Sequence, residues 1–122
     1  TLLSKIQNYE GLGRKECLIS PVSKLGMSVL KILNEKGYLG ASEKITDARG
    51  SVVKTYLLGK INKCGVIKPR FSVQLEEFEK FEKRYLPAHG VGIIIISTNK
   101  GLMTLDEAQQ KHIGGRLVAY CY

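Results

Sequence analysis

A short polar segment follows the most apolar run of the chain. Ile93 to Ile96 are four consecutive isoleucines, and Ser97-Thr98-Asn99-Lys100-Gly101 comes directly after them. Hydroxyls, an amide and an ammonium can together donate and accept hydrogen bonds and neutralise an anion. A connecting turn needs only a glycine and one or two small polar residues. An ordinary connecting turn is therefore one interpretation of this segment, and a binding surface that uses its different polar groups is the other.

Positive charge is concentrated in the middle of the chain. The 122 residues carry a net charge of +8, with a pI near 9.5. Every charged residue between Asp47 and Glu76 is basic, namely Arg49, Lys54, Lys60, Lys63, Lys68 and Arg70. Such a cluster can neutralise the phosphates of any nucleic acid, with binding that weakens steeply in salt. A solvated basic face without a polyanionic partner is the alternative.

Motifs for catalysis are not found at useful spacing. Asn99-Lys100 resembles a guanine-binding N-K-x-D loop, but Leu102 occupies the position of the aspartate. Neither G-x-x-x-x-G-K-[ST] nor G-x-G-x-x-G is present to bind phosphates. His89 lies in a predicted loop, and His112 lies near a predicted helix C-terminus, where a cation suits the helix dipole. We therefore expect no enzyme activity, no cofactor and no small-molecule substrate.

The cysteines and the apolar runs limit the class of protein. Cys17, Cys64 and Cys121 are odd in number and widely spaced, so the sequence predicts reduced thiols, the last two half-buried, and no disulfide framework or zinc site. The longest apolar run, Gly90 to Ile96, is far shorter than the roughly 20 residues that span a bilayer. Without a recognisable leader either, we expect a soluble intracellular protein that does not enter membranes.

The first half of the chain predicts an α-β-α-β-β unit. Ser23 can cap a helix in which Leu25, Val29, Ile32 and Leu33 share one face, and Gly37 can take the left-handed closing position. The predicted elements are a helix over Leu2 to Tyr9, a strand over Glu16 to Ser20, this second helix, and a hairpin with arms Tyr38 to Asp47 and Ser51 to Leu58 around Ala48-Arg49-Gly50.

The second half predicts a β-rich body with short helices. Leu75, Phe78, Phe81 and Tyr85 share a helical face, which is typical of core residues, while Glu76 with Lys80 and Glu79 with Lys83 can pair on the other face. Gly90 to Ile96 predicts a strand buried on both faces. Thr104 and Glu107 form a capping box for a helix from Leu105 to about His112, ending at Gly114. A last strand follows over Arg116 to Tyr122, and the Ser97 to Gly101 turn should connect strand to helix.

Several segments together resemble one known family. They are Lys60-Ile61-Asn62-Lys63-Cys64-Gly65-Val66-Ile67-Lys68-Pro69-Arg70-Phe71, Arg84-Tyr85-Leu86-Pro87-Ala88, Ser97-Thr98-Asn99-Lys100-Gly101-Leu102-Met103-Thr104 and Gly114-Gly115-Arg116-Leu117. In this order they resemble the universal small-subunit ribosomal protein family conventionally numbered eight, across essentially the whole chain. The first segment and the helix over Glu76 to Tyr85 resemble the archaeal and eukaryotic branch.

The resemblance implies a fold and a function. The fold is α+β, with an N-terminal α-β-α-β-β domain over residues 1–62 and a C-terminal β-rich domain with short helices over residues 63–122. Family members are structural ribosomal proteins, not enzymes. They bind the central domain of 16S-type RNA early in small-subunit assembly, beside neighbouring ribosomal proteins in the cytoplasm. A general basic module for nucleic acids or acidic proteins is the alternative, and a small phosphate-ligand enzyme is a third, for which no motif is found.

The resemblance also implies which residues contact RNA. The family's S-T-S-x-G turn corresponds to Ser97 through Gly101, with Asn99 in place of the second serine. The family's glycine pair corresponds to Gly114 and Gly115, and Arg116 follows where bacterial members carry an acid. Because RNA stems are recognised through the shallow minor groove, unpaired bases and phosphates, small polar residues should contact bases while cations hold phosphates. The expected phosphate contacts are Lys60, Lys63, Lys68, Arg70, Lys100 and Arg116, with weaker matches at Lys5, Asn8 and Lys24.

Overall fold

Two compact units make up the chain, one over Thr1–Asn62 (unit 1) and one over Lys63–Tyr122 (unit 2). The computed structural model describes residues 2–19, 24–47, 50–67, 71–88 and 91–122. The predicted helix cap at Ser23, the basic residues Arg49, Lys68 and Arg70, and His89 lie outside the described residues. No helix in the described ranges is long and apolar enough to span a membrane.

Unit 1 has the predicted α-β-α-β-β order. Its elements are α1 Leu2–Gly11, β1 Glu16–Ile19, α2 Lys24–Glu35, β2 Leu39–Asp47 and β3 Gly50–Leu57. The three strands form an antiparallel sheet in the order β1-β3-β2. Helix α2 packs on β2 and buries Val29, Ile32 and Leu33, as its periodicity predicts. Gly50, predicted in the turn, instead begins β3 and pairs with Asp47, so the predicted three-residue turn was too long.

Both helices of unit 1 end in the same hydrogen-bonded motif. Gly13 and Gly37 have φ of +73° and +83°. At each end, the glycine N–H and the N–H after it donate to carbonyls three and five residues back, which is the Schellman arrangement. The closing role predicted for Gly37 is confirmed. The Glu10 carboxylate accepts from the Gly59 and Ile61 N–H groups at 3.1 and 2.9 Å, which fixes the end of unit 1.

Unit 2 contains more strand than the sequence pattern predicts. Its elements are β4 Cys64–Val66, β5 Ser72–Val73, a 3-10 turn Leu75–Glu77, α3 Phe78–Tyr85, β6 Ile93–Thr98, β7 Gly101–Thr104, α4 Leu105–Gln110 and β8 Gly115–Cys121. The antiparallel sheet has the order β4-β8-β6-β7, with β5 also pairing with β8. The sequence analysis predicts no strand in the basic segment, whereas Gly65 lies inside β4 and pairs with Tyr120.

The core of unit 2 lies under the aromatic helix. Phe78 and Phe81 are buried, and Leu75 and Tyr85 pack against the same cluster, so the aromatic stripe is core as predicted. The α-helix begins at Phe78 rather than Glu76, because the first turn is 3-10, and Glu79 pairs with Lys83 at 3.5 Å. Three consecutive isoleucines, Ile94 to Ile96, are at most 2% exposed, which confirms a strand buried on both faces.

The cysteines are buried in both units. Cys17 is fully buried in β1, and Cys64 and Cys121 lie directly opposite each other on β4 and β8. The predicted half-buried state of the last two was wrong, because β8 is an inner strand of its sheet. Burial raises the pKa of the Cys17 thiol, with nearby Lys5 acting in the opposite direction. In the described residues, no cluster of His, Cys, Asp and Glu could hold a metal ion.

Candidate nucleic-acid interface

The polar segment after the isoleucines is a β-hairpin. Ser97 and Thr98 are the last residues of β6, and Gly101 begins β7 opposite Thr98, which leaves Asn99 and Lys100 as the turn. The prediction of a strand-to-helix turn was therefore wrong. Gly101 has φ of +108°, a conformation that favours glycine, and the four residues after the turn extend back along β6. Asn99 and Lys100 are exposed at the tip.

Thr98 holds this turn in shape. Its hydroxyl donates to the Gly101 carbonyl at 2.9 Å and accepts from the Lys100 N–H at 3.1 Å. A threonine in this position closes the turn with its own side chain. The Thr98 hydroxyl keeps only one acceptor site for a ligand, whereas the exposed Asn99 amide can both donate and accept. The turn thus presents Asn99 and Lys100 on a fixed backbone.

Three strands place a polar row beside the hairpin. Arg116 on β8 lies opposite Ser97 on β6 and also opposite Ser72 on β5. Residues directly opposite each other in a sheet have side chains on the same face. The guanidinium of Arg116, which is exposed, is therefore flanked by two serine hydroxyls. Ser72 was missed by the sequence analysis, because its pairing with β8 has no local signal.

The glycine pair allows these strands to approach. A Cβ atom on Gly115 would collide with the Ser97 carbonyl oxygen, and one on Gly114 would lie 2.8 Å from the Val73 carbonyl oxygen. Real Cβ atoms essentially never come that close to backbone. Both glycines are thus required by the packing of β8 against β6 and β5, in addition to any contact with a ligand.

The loop from α4 into β8 leads into this polar row and contributes to the same surface. Thr104 caps α4 as predicted, accepting from the Glu107 N–H at 3.4 Å, and its hydroxyl also lies 3.4 Å from the Glu107 carboxylate. The helix ends at Gln110, earlier than predicted. His112, which was predicted to lie at the end of the helix, has φ of +56° and takes the left-handed position after it. The His112 and Ile113 N–H groups donate to the Gln109 and Ala108 carbonyls, which closes the helix in a Schellman motif.

These elements enclose one open cleft of about 650 Å³. Of the residues that the sequence implicates, the structure brings together Ser97, Thr98, Asn99, Lys100, Gly114, Gly115 and Arg116. The lining also includes three that the sequence analysis missed, namely Ser72, His112 and Ile113. Hydrogen-bond donors and acceptors, two exposed cations and an imidazole line the cleft, without an acidic residue among its described lining residues. This surface suits a polar, anionic ligand.

Two other implicated residues of unit 2, Lys63 and Gly101, are not among the residues that line this cleft. Gly101 follows the hairpin turn but does not line the cleft. The Lys63 backbone exchanges two hydrogen bonds with Tyr122, at the far end of β8 from Arg116. Tyr122 lies six positions beyond Arg116, which at the rise of an extended strand is about 20 Å. The predictions for Lys68 and Arg70 fall outside the described residues.

The implicated residues of unit 1 are single side chains on its surface. Lys5 lies over the ring of Tyr9, with 5.8 Å from Nζ to the ring centroid. Asn8 lines a shallow depression with Gln7, Gly11 and Leu12. Lys24, at the start of α2, and Lys60 are exposed. Each can meet a phosphate, but the structure does not gather them into a cleft of mixed polar groups.

One comparison with known families bears on this surface. The family model described as ribosomal protein S8 matches residues 1–122, the whole chain.

Proposed function

Because this chain belongs to the ribosomal protein S8 family, we propose that the unit 2 cleft is its contact with the central domain of small-subunit ribosomal RNA. The chain is a structural protein of the small ribosomal subunit in the cytoplasm and is not an enzyme. It binds small-subunit ribosomal RNA and neighbouring ribosomal proteins. The finer proposals concern which RNA element it binds, through which residues, and at what stage of assembly.

The observation that carries the proposal is the mixture of polar groups on one rigid surface. The hairpin tip presents an amide and an ammonium, and the strand row presents two hydroxyls beside a guanidinium. An irregular RNA stem exposes 2′-hydroxyls and base edges in its shallow minor groove, flanked by phosphates. Short side chains on paired strands can enter this groove without first losing conformational freedom.

Specificity and positioning fall to different residues in this proposal. Asn99 and the serine hydroxyls of the row contact base edges and 2′-hydroxyls, while Thr98 keeps the turn in shape. Lys100 and Arg116 hold phosphates, as do the basic residues at 60, 63, 68 and 70. Lys5, Asn8 and Lys24 add weaker contacts from unit 1.

We also propose that units 1 and 2 are separate domains, because each contains every strand with which its own strands pair.

Early binding would let the protein fix the geometry of the central-domain stem before neighbouring proteins join. The N-K-C-G-V-I-K-P-R-F segment favours the archaeal and eukaryotic branch of the family.

A salt-series titration tests the site. The central-domain fragment of small-subunit RNA is titrated with the protein, with transfer RNA as competitor. Asn99→Ala should weaken binding of the fragment by about 1–3 kcal/mol, the loss of one buried hydrogen-bonding group, with the salt slope unchanged. Arg116→Ala should weaken binding of both RNAs and reduce the salt slope by about 1.

Lys24→Ala is the matched control for Arg116→Ala, because it removes an exposed cation from outside the cleft. We expect a smaller effect on affinity from this control. If Asn99→Ala binds the central-domain fragment as tightly as the native protein does, the cleft is not the RNA contact. Equal binding of both RNAs that disappears in high salt would instead favour a general basic module.

A further inference from the structure

One residue of the cleft adopts a conformation that the same motif elsewhere gives to glycine. Helices α1, α2 and α4 all end in Schellman motifs, and the left-handed residue is Gly13, Gly37 and His112 respectively. Among the described residues, His112 is the only non-glycine residue with positive φ. An L side chain is strained in this conformation, whereas glycine is not. Histidine at this position thus has a stability cost that glycine would avoid.

No side-chain contact in the described part of the protein offsets this cost. The His112 side chain is exposed, and its imidazole has no hydrogen-bond, ion-pair or ring partner among the described residues. Two backbone hydrogen bonds close α4, and only the N–H groups of residues 112 and 113 donate them. A glycine at position 112 would donate its bond equally well. The imidazole therefore contributes no visible contact to the fold.

The position of the imidazole suggests a use outside the fold. His112 lines the same cleft as Arg116 and Asn99. The cleft already has cations for phosphates and small polar groups for base edges. It has one aromatic side chain, His112, among its described lining residues. Histidine rings are among the surfaces on which proteins stack unpaired RNA bases.

We propose that His112 stacks on an unpaired base of the RNA bound in this cleft. The inference rests on the proposed function and adds to it a residue for which the family resemblance gives no role. Strain at a functional position is a known pattern, in which a side chain is kept in an unfavourable backbone conformation because its ligand contact requires it. The base stacks on the ring, and the neighbouring guanidinium and ammonium hold its flanking phosphates.

The decisive variant is His112→Gly, because a purely structural role and a binding role predict opposite results. His112→Gly should raise the melting temperature by a few degrees, since it removes strain. It should also lower affinity for the central-domain RNA by about 5- to 140-fold, the usual range for losing one base stack. His112→Phe should keep affinity within about threefold, and His112→Asn, which tolerates the left-handed conformation but has no ring, should bind as weakly as the glycine variant.

Gly37→His is the matched control. It places histidine at the same motif position in unit 1, where a Cβ atom has open space. We expect a lower melting temperature and unchanged affinity. As a direct readout, 2-aminopurine substituted at unpaired positions of the RNA stem should be quenched by the native protein and not by His112→Gly.

The outcomes separate the two proposals. Unchanged affinity of His112→Gly, with Asn99→Ala still weakened, would overturn the stacking role and leave the cleft as the RNA site. Native-like affinity of His112→Asn, with His112→Phe weakened, would indicate a hydrogen bond in place of a stack and would overturn the proposal. If Asn99→Ala and His112→Gly both bind normally, the proposed site itself is wrong.

Discussion

Units 1 and 2 both carry candidate RNA contacts, but the contacts of unit 2 lie in one cleft whereas those of unit 1 are separate side chains. The cleft combines residues from three neighbouring strands, a hairpin turn and a helix C-terminus. In unit 1 the candidates Lys5, Asn8 and Lys24 are single side chains on two helices. Strand pairing brings groups that are distant in sequence into one fixed arrangement, which isolated surface lysines cannot provide.

The difference extends to how each side chain is held. In the cleft, Thr98 closes its own turn with two hydrogen bonds, and Gly115 lets Arg116 sit beside Ser97. In unit 1, the candidate Lys5 lies over the ring of Tyr9, one helical turn away, at 5.8 Å from Nζ to the ring centroid. A preorganised surface loses less entropy on binding than mobile side chains do. We therefore expect shape-specific recognition from unit 2 and mainly charge from unit 1.

The largest effect should come from breaking the cleft at its backbone. Gly115→Ala would drive a Cβ atom into the Ser97 carbonyl oxygen, so β6 and β8 must separate locally. We expect a loss of about 2–4 kcal/mol in the free energy of unfolding, together with loss of specific RNA binding. Urea unfolding and the RNA titration measure the two effects.

Gly11→Ala is the control for this variant. Gly11 lies in α1, where an added Cβ atom meets nothing within 4 Å. It should be neutral or stabilise the protein by up to about 1 kcal/mol. Normal stability of Gly115→Ala would show that the close packing of these strands is not required, and the contrast between the two regions would weaken.

A medium effect should come from loosening unit 1 without touching the cleft. Glu10→Ala removes the carboxylate that accepts from the Gly59 and Ile61 N–H groups. We expect unit 1 to lose about 1–2 kcal/mol of stability, with the salt-resistant part of RNA binding unchanged. The rate of Cys17 alkylation measures how often unit 1 opens. The thiol is fully buried, its pKa is raised by burial, and it reacts as the thiolate, so alkylation is slow until the unit opens.

Cys64 and Cys121 are internal controls for this measurement, because both are buried in unit 2. Mass spectrometry can follow alkylation of the three sites separately. Equal acceleration at all three cysteines would show that the units open together, which would contradict their treatment as separate domains.

The smallest effect should come from the surface ion pair of unit 1. Lys54 donates a hydrogen bond to the Glu16 carboxylate. This hydrogen bond and the negative charge of Glu16, with a contribution from Tyr56, raise the pKa of Lys54. A raised pKa in the folded protein gives stability that is present below the ordinary lysine value of about 10.4 and is lost as pH rises through the folded pKa. Lys54→Met should therefore destabilise slightly at neutral pH, and the difference from the native protein should shrink above pH about 10.4. Thermal melts from pH 7 to 11 test this, and a difference that grows with pH would contradict it.

The sequence predicts those parts of the fold that have a local signal. The aromatic stripe around Phe78 and Phe81, the isoleucine strand and the Gly37 helix end all follow from periodicity or backbone preference. Strands β4 and β7 were missed for a physical reason. Each has three or four residues and contains or begins with a glycine, so its extended conformation is imposed by pairing with β8 or β6 rather than by its own residues.

The site was predictable to the same extent. The Ser97 to Gly101 segment was first identified by its mixture of polar groups and the Gly114 to Arg116 segment through the family resemblance, and the structure brings residues of both into one cleft. Ser72 could not be found, since only its register opposite Arg116 gives it a place there. His112 was explained by the helix dipole alone, because its positive φ depends on where α4 ends.

Strand β8 also sets an order of events during protein synthesis. It pairs with β4, β5 and β6, yet it follows all of them in the chain. The sheet of unit 2 cannot close until residues 115–121 have been translated and have left the ribosomal exit tunnel. Unit 1 has all its pairing partners by residue 57. Since domains fold as units during translation, unit 2 spends longer than unit 1 as an open, apolar nascent chain.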